Sequence, residues 1–345
     1  MENQTENATT KKPKFSFNYK NFKNLSLGSK IIHILVPIAI LLVVGCIITS
    51  TEDPSSTSSN NSTKIVDATS EDMPWFDITS NGEIYLKPEY RGAKVSADYI
   101  SDNGLNEAGS KFNKLPKTLV IPNTFNGISV VSIHDCAFSG GISNSNIKNV
   151  IIGDNVVLIG SIAFNSHLES VTLGKNVQTI GRGAFMSCDF SEIIFPDSLK
   201  IIGDMAFSGC TKLKSVTFPN TLEKIGLQAF ANCSSLDTID FVKIEESNLK
   251  EISTSAFVNC VKLEEITLPD SLIKIAEFAF MNCTALKNVS IGITDNCQLD
   301  EVGFKAFSGC TNLNRIEYYN AWAAVTWGEE WCPDESIVEC MYRFD

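Results

Sequence analysis

Apolar and polar residues follow three regimes along this chain. Residues 31–49, IIHILVPIAILLVVGCIIT, form a continuous apolar run broken only by His33, Pro37 and the small Gly45-Cys46 pair. A helix over 31–48 would be about 27 Å long at ~1.5 Å per residue, close to the ~30 Å hydrocarbon core of a bilayer. Residues 50–64, STEDPSSTSSNNSTK, then lack large apolar side chains and cannot bury a core. Beyond residue 118 the apolar positions come in short clusters that recur.

Aligned on an Ala-Phe pair, the clusters give eight copies, with Phe at 138, 164, 185, 207, 230, 257, 280 and 307. Their spacings run from 21 to 27 residues, a period that marks a solenoid. The unit around Phe230 shows the logic. Leu213, Val216 and Phe218 end in a two-residue step, predicting a short strand with one buried face. Pro219 ends that strand because it cannot donate to a ladder. Leu222 and Ile225 predict a second short buried segment, and Gly226 a sharp turn. Ala229, Phe230 and Cys233 have the spacing of the inner face of one helical turn. No coil could bury such a face alone; stacked coils, with parallel strands about 4.8 Å apart, bury it continuously.

Six copies carry a cysteine three residues after the Phe: Cys188, Cys210, Cys233, Cys260, Cys283 and Cys310. Eleven cysteines in an extracytoplasmic chain could form a disulfide framework. Their one-per-coil recurrence instead predicts an internal ladder of small, buried, reduced thiols, because stacked side chains with parallel vectors fit disulfide geometry poorly. Cys332 and Cys340 lie outside the ladder and could pair. No Cys-x2-Cys occurs, which argues against metal.

These residues resemble a known family. LKSVTFPNTLEKIGLQAFANCSSL (213–236) is similar to the repeat of BspA-type, or treponemal-type, leucine-rich repeat surface proteins. FDITSNGEIYL, with a hairpin turn at Asn81-Gly82, and TLVIPNTFNGISVVSIHDCAF (118–138) resemble the family's opening coil. LNRIEYYNAWAAVTWGEEWCPDESIVECMY resembles its Tyr/Trp-rich closing segment. The copies at Phe138 and Phe164 lack the ladder cysteine, and Ser253 and Ala276 stand where other copies have the turn glycine. The resemblance implies an anchored or secreted protein acting in adhesion and protein binding, with no catalytic residues to transfer.

The expected fold is therefore an α/β solenoid, a leucine-rich repeat array of about eight coils with short parallel strands, preceded by one transmembrane helix. The expected domains are a disordered cytoplasmic tail (1–30), the transmembrane helix (31–49), a Ser/Thr-rich stalk (50–74), an N-terminal capping segment (75–117), the solenoid (118–317) and a C-terminal capping segment (318–345).

Charge sets the topology. The net charge is −12, but residues 1–30 carry six Lys against Glu2 and Glu6, leaving −16 on residues 31–345. Lysines before the apolar run and Glu52-Asp53 after it place the N-terminus in the cytoplasm and the repeats outside. Val43-Val44-Gly45-Cys46 also fits a lipoprotein cleavage site, but Ile47-Ile48 continue the helix past Cys46 and favour an uncleaved anchor. The acidic body excludes nucleic acid as a partner, since phosphate binding needs a basic footprint.

Chemistry is sparse. The histidines are His33, His134 and His167. His134-Asp135 could be a base and its orienting acid, yet it occupies the turn position. No phosphate loop, nucleophile elbow, H-E-x-x-H or EF-hand loop occurs, and no cofactor is expected. Asp295-Asn296 and Asp300-Glu301 read as solvated loop.

Two insertions, 242–248 and 292–298, enter between the same two strands and should emerge on one edge of the solenoid, two coils apart. The outward positions of the first strand are neutral in the N-terminal coils and charged in the C-terminal ones. Asp240, Glu245, Glu246, Glu265, Asp295 and Glu317 are the candidate ligand-binding residues. The expected activity is binding of an extracellular protein or host macromolecule, in adhesion or cell interaction. The alternative is a structural surface component that associates with its own kind; an enzyme is not expected.

Overall fold

The computed structural model describes residues 67–87, 116–138, 147–164, 167–319, 325–333 and 338–340. All lie in Thr63–Asp345, one of the two units into which the chain divides. Each coil has three sides: a longer strand such as Glu265–Leu268, a two-residue strand such as Lys274–Ile275, and a tight double turn through the Ala-Phe pair.

The two-residue strands stack in parallel, each outward residue beside its equivalent: Leu158, Thr179, Ile201, Lys224, Glu251, Lys274, Glu301 and Thr326. Together with the short strand Ser132–Ile133 and an N-terminal hairpin they make one 11-stranded sheet. That hairpin pairs Phe76–Ile78 with Glu83–Leu86, and the Asn81-Gly82 turn is borne out, with Gly82 at φ 81°.

The longer strands do not form the continuous sheet that the repeat predicts. They divide into Thr118–Thr172, Ser215–Phe241 and Glu265–Cys340 groups. One division falls at the coil of Ile193, where an isolated bridge from Glu192 to Ser215 and the Lys214 N–H donating to Ser191 O replace a paired strand. There Phe190 fills the position of the usual leucine and packs edge-on against Phe185 and Phe207. The other falls after Phe241, where the first insertion begins.

The expected α/β class is wrong, and backbone geometry says why. Among the described residues the one helical element is a single 3-10 turn, Ile244–Glu246. The Ala-Phe-x2-Cys segment is not a helical turn, because the residues before Ala and before Cys are left-handed: Gln228 has φ 54° and Asn232 φ 61°. The N–H groups of Ala229, Ala231 and Cys233 bond three residues back, while those of Gln228, Phe230 and Asn232 reach Thr254, Ala256 and Val258 of the next coil at 2.8–3.0 Å. Alternate donors thus serve a turn and an inter-coil ladder, which satisfies the backbone without helix. The fold is a β-solenoid of about eight turns. The predicted membrane helix 31–49 lies outside the described residues. No helix among the described residues is long and apolar enough to cross a membrane, so none is part of this architecture.

Gly226 also differs from its predicted role. Its φ is not left-handed; it is required because a Cβ there would sit 2.7 Å from the backbone of Gly203 and Asp204 in the preceding coil.

The core is a stack of rings. Phe138, Phe164, Phe185, Phe207, Phe230, Phe257, Phe280 and Phe307 lie 4.9–5.5 Å apart, within 16° of parallel. Phe76 closes one end edge-on to Phe138, and Trp331 the other edge-on to Phe307. Beside the rings run the ladder cysteines, each thiol directed at the Phe carbonyl of the coil before it, from 3.1 Å at Cys310 to 3.6 Å at Cys188.

Candidate binding surfaces

Both insertions leave and rejoin the solenoid over equivalent residues of the coil before. Val242 N–H donates to Phe218 O and Asn248 N–H to Asn220 O; Gly292 N–H donates to Leu268 O and Gln298 N–H to Asp270 O. They emerge on one edge, as their spacing predicts. Their interiors differ. The first is an exposed turn whose Glu246 accepts from Lys243 at 3.1 Å and from Asn220 at 3.4 Å. The second is tied down, because the Asp270 carboxylate accepts from Ile293 N–H, Thr294 N–H and the Thr294 hydroxyl at 2.6–3.0 Å, and Cys297 is buried beneath it. Asp270 gave no sign of this role in the sequence, since it occupies an ordinary turn position after Pro269.

Asp240 sits on the strand Thr238–Phe241 immediately before the first insertion, with Glu245 and Glu246 exposed in the insertion itself and Glu265 exposed at the start of the next strand. These four therefore lie on consecutive coils, either side of the split in the sheet. Asp295 lies in the second insertion. Glu317 is two coils beyond Glu265, in register with Ser290 across the strand pair, and is half-buried and ion-paired with Arg315. It is the least available of the six.

His134 and Asp135, the candidate base and acid, are engaged at a turn. His134 Nδ1 lies 2.7 Å from the Asp135 carbonyl, its ring packs edge-on to Tyr85, and the Asp135 carboxylate accepts the Ser161 N–H. Glu301 is bound to Lys274 at 2.8 Å. Among the described residues no group of three or more His, Cys, Asp or Glu could hold a metal ion. Burial pushes the Cys233 thiol up to about 12 and raises Cys210, Cys260 and Cys283 well above the usual thiol range, so these sulfurs are neutral and unreactive at physiological pH.

A family model described as BspA type leucine-rich repeat region matches six copies over residues 131–247 and 241–326. No curated protein matches. Among solved structures, the chain is similar to a T. pallidum leucine-rich repeat protein at 22% identity, covering 69% of this chain and 86% of that one, with a TM-score of 0.43. It is also similar to a leucine rich cell surface protein from Faecalibacterium prausnitzii at 18% identity, with 71% and 93% covered and a TM-score of 0.30. The pneumococcal vaccine antigen PcpA aligns at 15% identity over 74% and 78%, with a TM-score of 0.31.

Proposed function

The chain belongs to the BspA-type leucine-rich repeat family, and from that premise we propose that it is a non-catalytic binding protein of the cell surface, acting in adhesion by capturing an extracellular or host protein. The observation that carries this reading is the acidic run Asp240, Glu245, Glu246 and Glu265 on consecutive coils, where the sheet splits and the repeat is broken by an exposed turn. Solenoid faces repeat, so specificity resides where they do not. An acidic, irregular patch fits a ligand with a complementary basic patch. Asp295 and Glu317 extend the same surface towards the last coils.

The test is affinity capture with the full chain from an extracellular protein mixture, beside a variant carrying Glu245→Lys, Glu246→Lys and Glu265→Lys. A ligand retained by the native chain and lost by the variant supports the reading. Ligands retained equally by both would move the site elsewhere.

A further inference from the structure

Nine large hydrophobic side chains are exposed among the described residues, and five of them, Val131, Val157, Leu158, Ile201 and Ile273, lie on the face of the short strands. Two adjacent outward residues per coil make this face. The second of each pair is fixed by the strand register, and the first by backbone bonds such as Lys200 N–H to Gln178 O and Glu223 N–H to Lys200 O. Read up the solenoid, the rows are Val157-Leu158, Gln178-Thr179, Lys200-Ile201, Glu223-Lys224, Lys250-Glu251 and Ile273-Lys274.

We propose that this face docks a second copy of the same chain, parallel to the first, about a two-fold axis running along the solenoid. Such an axis sets each row against itself with its two positions exchanged. Val157 then meets Leu158 of the other copy, apolar on apolar. Gln178 faces Thr179, an amide against a hydroxyl. Lys200 lays its stem over Ile201, and Lys274 over Ile273. Glu223 faces Lys224, and one coil on, with the order reversed, Lys250 faces Glu251. Each of these last two rows is self-complementary in charge, giving four cross-copy ion pairs. An antiparallel arrangement centred on the charged rows would set Glu223 against Lys250 and Lys224 against Glu251, but it would face Val157-Leu158 with Val325-Thr326 and Gln178-Thr179 with Asp300-Glu301, giving up the apolar self-contact. It would also make the Glu223 and Lys224 double charge swap worse than either single one. The next row, Asp300-Glu301, sets Asp300 against a Glu301 already held by Lys274 of its own chain, offers no cation to the other copy, and ends the interface. Six rows at ~4.8 Å, about 10 Å wide, bury roughly 600 Å² in total, below the ~1,200 Å² of a stable complex, so the dimer is reversible.

Sedimentation velocity of the full chain over rising concentration is the test, read as the difference between the native chain and variants on this face. All sites are exposed, so melting temperatures confirm folding. Leu158→Glu with Ile201→Glu should weaken association at least about tenfold, equivalent to ~1.4 kcal/mol. Glu223→Lys alone, or Lys224→Glu alone, should weaken it severalfold, because each sets like charges face to face. The two together restore opposite charges across the axis and should recover association to within about twofold, a rescue expected only for charges paired across copies. Association unchanged by the Leu158 and Ile201 substitutions, or a double variant no better than either single one, would overturn the proposal. Capture through Glu245, Glu246 and Glu265 lies on a different side of each coil, so either idea can fail without the other.

Discussion

Trp331 meets Phe307 edge-on, with ring centroids 6.3 Å apart and planes at 81°, whereas Phe307 lies stacked on Phe280 at 5.2 Å and 3°. An edge-on ring presents its positive rim to the last exposed π face and offers no new parallel face for another coil. Phe76 does the same for Phe138 at the other end, at 5.9 Å and 71°. Trp331 also accepts the Phe307 N–H at 2.7 Å through its carbonyl, so ring and ladder close together. Trp331→Ala should therefore fray the last coils. Because coils stabilise only their neighbours, amide exchange should quicken over 299–318 while 199–241 stays protected. Uniform loss of protection would contradict a one-dimensional ladder.

Inside the stack the cost is larger. Phe230 is fully buried between Phe207 at 5.1 Å and Phe257 at 5.3 Å, and neighbouring coils are pinned by backbone bonds that prevent collapse into the void. Phe230→Ala should cost about 3–5 kcal/mol, read by chemical denaturation.

The ladder cysteines should resist alkylation in the native protein and react fully once unfolded. Burial raises the folded-state value of Cys233 to about 12, above its unfolded value, so the native state keeps a proton that the unfolded chain gives up. The stability from this neutral thiol is complete below the unfolded value. It is then lost as pH rises through the window from there towards 12. Alkaline unfolding should consequently be less steep in Cys233→Ala than in the native chain. Equal steepness in both would show that the sulfur titrates alike in both states.

The coil period, the buried positions, the hairpin at Asn81-Gly82 and the cysteine ladder were legible in the sequence because each rests on spacing. Ala229, Phe230 and Cys233 face inward as their spacing requires, yet the same spacing serves a helical turn and a double β-turn equally well. What separates them is the left-handed backbone at Gln228 and Asn232; neither is a glycine, but Gly183, Gly209 and Gly309 hold positive φ at the equivalent positions of other coils and were the available signal. The split in the longer-strand sheet was hidden for another reason. Phe190 for leucine looks conservative in one dimension, and only its size against Phe185 and Phe207 shows in three. For the candidate surface, the shared edge of the two insertions followed from where they interrupt the unit, but the ion pair that occupies Glu317 joins it to Arg315 on its own strand, which the column pattern did not single out.

The left-handed positions yield a paired test. Ile162 holds φ 55°, a conformation costing an L-residue about 1–2 kcal/mol and worst for β-branched side chains. Ile162→Gly should be neutral or raise stability by up to about 1 kcal/mol, since glycine's greater unfolded entropy offsets part of the relief. Gly309 holds φ 77°, and a Cβ there would clash with Asn282 Oδ1. Asn282 cannot easily swing aside, because its Nδ2 donates to Asn259, which donates in turn to Asn232. Gly309→Ala should thus destabilise by more than 1 kcal/mol. Thermal melts of the two variants moving in the same direction would refute this reading of the turns.

The binding surface makes its prediction through rates. Glu245, Glu246 and Glu265 are exposed, and the pairing of Glu246 with Lys243 is a surface contact worth at most ~1 kcal/mol. Replacing all three with Lys should leave the melting temperature nearly unchanged. Association with a basic ligand should respond strongly, because long-range charge steers encounter and rim charges act on the on-rate more than on the off-rate. Reversing three charges should slow association about tenfold or more at low ionic strength, where the screening length is ~30 Å at 0.01 M, and the difference should vanish near 1 M salt, where it is ~3 Å. An on-rate unaltered by the triple substitution at low salt would remove these residues from the encounter surface.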